Sequence, residues 1–302
     1  MRICSLLPAA TEMAFALGLS DQIVGVTLEC DYPPEARQKQ IVVRCLVDTT
    51  EMTSAEINRW LAENLQDGKS PYSIDEEAFL RAAPDLILTQ GLCEVCALDY
   101  NYVVQVAQSL PHKPNIVSLN PNSVTDVLDD ILRVGDATQR RVAAQALVTD
   151  LQRRILQVRA AAPTYRPRVA CFEWLEPLFV AGHWVPEMVE IAGGEAGLIR
   201  TGEPSVYVAW QSVLEFSPEV IVLLPCGFDV RRTINDSPLL QQLEGWPDLP
   251  AVKAGKVFAV NGNAYFSRPG PRLISGLEIL ARLIHPEKAT GSLSPAEAAK
   301  FN

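Results

Sequence analysis

No stretch of the 302-residue sequence approaches the roughly 18 consecutive apolar residues that a membrane-spanning helix needs. Nor is there an excess of positive charge. Lys and Arg total 26 against 36 Asp and Glu, a net charge of −10, so neither nucleic acid nor an anionic membrane surface fits as a partner. Low-complexity tracts and fixed-period repeats are missing, which excludes a disordered chain or a solenoid. Histidine is scarce, three in all, and no Gly-x-Ser-x-Gly elbow, His-Glu-x-x-His helix or Gly-x-Gly-x-x-Gly turn occurs. Gly68-Lys69-Ser70 is not a phosphate loop, because Glu63 stands where the earlier glycine would be and a helical pattern precedes it. The chain opens Met1-Arg2-Ile3-Cys4-Ser5-Leu6-Leu7-Pro8. That apolar stretch is short of the roughly 7–15 residues of a secretory leader, so the expectation is a cytoplasmic location, periplasmic only if the true start lies upstream. Seven cysteines, an odd number in a reducing compartment, read as free thiols or metal ligands before disulfides.

What is present is an ordinary globular balance, 48% hydrophobic and 21% charged residues, at a length that predicts about two domains. Short apolar runs bounded by turns alternate with helical patterns, which predicts βα units and mainly parallel sheets. The expected strands are Ile3–Leu7, Gln22–Thr27, Leu86–Thr89 and Asn115–Leu119, then Arg168–Phe172, Val220–Leu224 and Lys256–Val260. Between the two sets, apolar residues from Val127 to Val158 recur at helical spacing. The prediction is one long helix over Val124–Ala161, joining an N-terminal α/β lobe (1–123) to a C-terminal one (163–302) within a connecting segment 124–162. Residues 47–75, with an amphipathic stretch at Ser54–Gln66, read as an insertion in the first lobe.

Ligands of open α/β sheets bind beyond the carboxyl ends of the strands, so the residues after each strand are the candidates. Four of the seven thiols fall there: Cys30, Cys93, Cys96 and Cys226. Cys93-x-x-Cys96 has the spacing of a metal-binding or redox pair, and half-buried packing is the alternative for all four. Cys30, Cys93 and Cys96 are expected to cluster in the first lobe. Glu29 lies beside Cys30. Large aromatics stand in otherwise polar loops at Trp174, Trp184, Tyr265 and Phe266, with His183 beside Trp184. This suits a flat ligand held by stacking, with packing beneath the loops expected of at least one ring.

A further set of residues carries a resemblance. Ser5-Leu6-Leu7-Pro8-Ala9-Ala10-Thr11-Glu12, Asp31-Tyr32-Pro33-Pro34, Ala83-Pro84-Asp85-Leu86-Ile87, Gly193-Gly194, Ser217-Pro218-Glu219-Val220 and Arg268-Pro269-Gly270-Pro271-Arg272 occur in the order seen in the helix-hinged solute-binding proteins of ABC importers. The chain is most similar to the cobalamin-binding branch. The resemblance implies a binding protein rather than an enzyme, two Rossmann-like lobes with the ligand cleft between them, and a corrinoid such as cobalamin as ligand. In that branch the loop before Asp-Tyr-Pro-Pro contributes to the site; here it carries Glu29-Cys30 where an aromatic contact is expected. The family docks on its permease through one glutamate per lobe. Glu77 matches the first position, and Gln211 occupies the second. Two alternatives stay open at this point: a soft-metal or metal-complex binder using Cys30, Cys93, Cys96 and Cys226, and a thiol-dependent enzyme on the same scaffold.

Overall fold

The computed structural model describes residues 1–66, 70–91, 98–288 and 291–301. The chain divides into two compact units. Unit 1 comprises Met1–Met52, Arg59–Pro121 and Thr125–Thr149; unit 2 comprises Thr53–Asn58, Asn122–Val124 and Asp150–Asn302.

Unit 1 is built on a six-stranded sheet. Its strands are β1 (Ile3–Ser5), β2 (Ile23–Thr27), β3 (Ile41–Cys45), β4 (Tyr72–Ile74), β5 (Leu86–Thr89) and β6 (Asn115–Ser118), in the order β4-β3-β2-β1-β5-β6. All neighbours run parallel except β3 and β4. The central strands β1 and β5 are buried along their whole length, as expected of parallel strands covered on both faces. Helices α1 (Pro8–Ala16), α2 (Ser54–Gln66), α3 (Glu76–Ala82) and α4 (Tyr100–Ala107) connect them. Local chemistry starts several of these. Pro8 occupies the first turn of α1, and the Asp75 and Asp99 carboxylates accept from the backbone N–H groups of Ala78 and Tyr102, capping α3 and α4 at 2.9 Å each. Phe79, Ile87 and Val103 are fully buried in one cluster of the core.

The expected single helix from Val124 to Ala161 is two helices, α5 (Val124–Ala137) and α6 (Arg141–Ala161). The break has a local cause. The Thr138 hydroxyl donates to the Val134 carbonyl at 2.7 Å, the Arg140 N–H donates to Gly135 O at 2.7 Å, and Gln139 takes a left-handed φ of 60°. Gly135 also permits the chain to fold back on itself, since a Cβ there would lie 2.4 Å from the Ala144 Cβ. The continuous helix shared by both units is therefore α6 alone, with Arg141–Thr149 in unit 1 and Asp150–Ala161 in unit 2. In unit 2 it is fastened by a forked ion pair: Arg154 Nε and Nη2 donate to the two Glu278 carboxylate oxygens at 2.8 Å each, and Nη2 also donates to Ser275 Oγ at 3.0 Å.

Unit 2 holds the second six-stranded sheet: β7 (Val169–Leu175), β8 (Leu178–Val180), β9 (Val206–Tyr207), β10 (Val220–Leu223), β11 (Val257–Val260) and β12 (Ala298–Lys300), in the order β12-β11-β10-β7-β8-β9. β7, β10 and β11 are mutually parallel; β8 and β9 on one side and β12 on the other join antiparallel. The helices are α7 (Val185–Ile191), α8 (Trp210–Phe216), α9 (Val230–Asp236), α10 (Pro250–Lys253), α11 (Gly262–Tyr265) and α12 (Leu273–Ile284). Asp229 and Asn261 cap α9 and α11. Among the described residues no helix is long and apolar enough to cross a membrane.

Candidate functional site

In unit 1 the strand order reverses between β1 and β5, and polar side chains are buried around the carboxyl ends of β1 and β2. Thr11 Oγ1 donates to Ser5 Oγ at 2.8 Å and lies 3.0 Å from Cys30 Sγ, which in turn lies 3.5 Å from Thr27 Oγ1. Cys30 is 2% exposed. The structure thus places this thiol inside a hydroxyl chain that ties the loop after β2 to the start of α1. Glu29, the next residue back, is exposed; its N–H is held by Thr27 Oγ1 at 3.1 Å and its carboxylate accepts from the Tyr72 hydroxyl at 3.0 Å. Tyr72, delivered by the edge strand β4, is a contact that sequence reasoning missed. Leu28, Tyr32 and Leu46 are exposed around the same strand ends.

Cys93 and Cys96 lie outside the described residues, so the expected cluster with Cys30 is not among the contacts seen. Cys226 is half-buried in unit 2, where its N–H donates to Glu173 O at 3.0 Å. Among the described residues no three His, Cys, Asp or Glu side chains are grouped to hold a metal ion. Cys4 and Cys171, read as core, are buried on β1 and β7, and desolvation pushes each thiol up to about 12.

The aromatic candidates of unit 2 divide into two kinds. Trp184 and Phe266 are 6% and 1% exposed, and the Trp184 indole N–H donates to the Phe266 carbonyl at 2.9 Å. That bond satisfies the polar edge of a ring otherwise enclosed by the core, leaving Trp184 no free face. Trp174, His183 and Tyr265 are half-buried. Trp174 meets Phe228 edge-on at 5.6 Å between ring centroids, and the Arg232 guanidinium lies 3.9 Å above the Phe228 ring. Phe228 lies in the loop between β10 and α9, after Leu224-Pro225-Cys226-Gly227, and Arg232 enters in the first turn of α9; neither is assigned a role from the sequence. His183 stacks on Trp184 at 5.5 Å, with Nδ1 3.4 Å from Asn122 Oδ1. It is held at a left-handed φ of 51° by the bond from its N–H to Glu203 O. The tight turn requires Gly182 before it, since a Cβ there would meet Glu203 O at 2.4 Å. Burial holds the His183 pKa below its ordinary value, so the ring is neutral at pH 7 and offers one donor and one acceptor.

Each unit therefore presents ligand-type side chains at the carboxyl ends of its strands, on loops braced by buried partners. A family described as periplasmic binding protein matches residues 3–264. The chain belongs to this family. It is 23% identical over 295 residues to the uncharacterized ABC transporter substrate-binding lipoprotein YvrC of Bacillus subtilis (95% of this chain, 80% of that one). It is 26% identical over 305 residues to the vitamin B12-binding protein of Pectobacterium atrosepticum (98% and 91%). A crystal structure of a periplasmic heme-binding protein from Pseudomonas aeruginosa superposes with a TM-score of 0.72 at 18% identity, covering 100% of this chain and 98% of that one. The two-unit α/β fold is that of these proteins. The chain is an ABC-transporter substrate-binding protein and not an enzyme, which removes the thiol-enzyme alternative. The expected cytoplasmic location is corrected as well: a periplasmic family and a lipoprotein relative point outside the cytoplasm.

Proposed function

We propose that the substrate is a corrinoid of the cobalamin type, with Trp174, His183 and Tyr265 of unit 2 among its contacts, braced by the buried Trp184 and Phe266. The observation that carries this reading is the set of half-buried rings, Trp174, His183 and Tyr265, near the carboxyl ends of strands in a chain of net charge −10. Aromatic faces suit a flat macrocycle. The negative field disfavours a macrocycle bearing ionised carboxylates, such as heme, and tolerates one whose periphery is neutral amide. The B12-binding relative, similar along 98% of the chain, supports the same choice. Docking on a permease falls to exposed glutamates. Glu77, in the first turn of α3, is paired with Arg81 one turn on. In unit 2, Gln211 itself donates to Glu215 at 3.1 Å, so an exposed carboxylate stands one turn beyond the glutamine.

Titration of the purified protein with cyanocobalamin and, separately, with haemin tests the substrate. The expected result is saturable binding of cyanocobalamin, weakened by about 1–3 kcal/mol in Trp174→Ala. Preferential binding of haemin would overturn the corrinoid assignment.

A further inference from the structure

The insertion read from the sequence contributes to unit 2 in a way its position between strands of unit 1 does not announce. Its first helical turn, Thr53–Asn58, belongs to unit 2. The turn is fixed locally by a reciprocal cap: Glu56 Oε2 accepts from the Thr53 N–H at 2.8 Å and from its hydroxyl at 2.9 Å, while Thr53 Oγ1 accepts from the Glu56 N–H at 3.3 Å. Ser54 is then set down on two groups of unit 2. Its carbonyl accepts the Trp174 indole N–H at 3.2 Å, and its N–H points between the two Asp236 carboxylate oxygens, 3.4 Å from each. Ser54 is fully buried by this seat, and Ile57 one turn on is buried too. Yet the Ser54 hydroxyl has no hydrogen-bond partner among the described residues. A hydroxyl taken out of water without a partner opposes the very seat that buries it.

We propose that the turn Thr53–Asn58 is a displaceable cover on the polar edge of Trp174, and that the orphaned Ser54 hydroxyl keeps it displaceable. The cover occupies the indole N–H, so a substrate that bonds to that edge of Trp174 must first lift Ser54 away. Two backbone bonds hold the cover down and one side-chain hydroxyl lifts it, so the two kinds of substitution act in opposite directions. This inference rests on the reading that Trp174 faces the substrate.

The test compares Ser54→Ala and Asp236→Ala with the wild type in the full chain. Ser54→Ala keeps both backbone bonds and deletes the orphaned hydroxyl. In the ligand-free protein, the amides of residues 54–58 should exchange with deuterium about tenfold more slowly. Asp236→Ala removes the acceptor and should speed the same amides. Affinity for cyanocobalamin should move in mirror image, weaker in Ser54→Ala and tighter in Asp236→Ala, because closing the cover competes with binding. Exchange rates unchanged in both variants, or affinities unchanged while exchange moves, would overturn the cover. A wild type that binds neither cyanocobalamin nor haemin, with the exchange contrast intact, would instead overturn the corrinoid reading and leave the cover standing.

Discussion

Asp130 is the sharpest point at which sequence chemistry and burial disagree in unit 1. Its side chain, on α5, is 5% exposed. One carboxylate oxygen accepts from Arg133 Nη1 at 2.7 Å; the other, Oδ2, is buried with no partner among the described residues. Burial pushes its pKa from an ordinary 3.8 up to about 6; Asp126 and Asp129 add to the rise and Arg133 opposes it. A carboxyl whose pKa is higher folded than unfolded binds more protons in the folded state between the two values. Its contribution to stability is thus complete below pH 3.8 and is lost as pH rises through about 6. At about 1.4 kcal/mol per pKa unit, ionisation above pH 6 costs about 3 kcal/mol. Asp130→Asn removes that cost while keeping an oxygen for Arg133, and its amide nitrogen inherits the unpartnered place. The variant should be more stable than wild type by about 1–3 kcal/mol at pH 7.5, and the gap should close by pH 4. Urea unfolding followed by circular dichroism at both pH values measures this. Fluorescence would report chiefly on unit 2, which holds every tryptophan but Trp60. A gap of the same size at pH 4 and pH 7.5, or a variant less stable at pH 7.5, would refute the reasoning.

Two further outcomes follow from burial. Trp184→Ala should destabilise unit 2 by about 3–5 kcal/mol, because it empties a core site and strands the Phe266 carbonyl; in contrast to Trp174→Ala, any protein that remains folded should keep its cyanocobalamin affinity, and a stable variant with weakened binding would show that Trp184 is a substrate contact. The thiols of Cys4, Cys30 and Cys171 should stay unlabelled by a thiol reagent at pH 8 until urea unfolds the chain, while half-buried Cys226 labels in the native state. Peptide mapping of the labelled protein checks this, and native labelling of Cys171 would contradict its burial.

The elements that the sequence determined by itself are those whose signal is local. The hydrophobic runs at β2, β5, β10 and β11 are strands because β-branched and apolar residues there are covered on both faces, and their bounds differ from the expected ones by at most one residue. Helix α2 lies at Ser54–Gln66 as its amphipathic pattern predicts. The motif residues that resemble the family are likewise sequence-local, and the family itself follows from them. Tertiary structure decided the rest. The break between α5 and α6 depends on Gly135 meeting Ala144 and on one left-handed residue, Gln139, neither of which alters the apolar period that predicted a single helix. The short strands β4, β8, β9 and β12, two or three residues each, carry too little pattern to be seen before their partners are known. Trp174 and Trp184 both read as loop residues in the sequence, but the structure puts Trp174 inside β7, paired with Phe179, and Trp184 at the start of α7; only packing distinguishes the ring enclosed over Phe266 O from the ring lying edge-on to Phe228. Cys30 reads as a ligand from its place after a strand, but Thr11 and Thr27, distant or unremarked in sequence, enclose it. Ser54 has no signal in the chain at all beyond a helix start. Its place against Trp174, 120 residues away, exists only because the fold brings them together, and hydrophobic periodicity records which side of an element is buried but not against what.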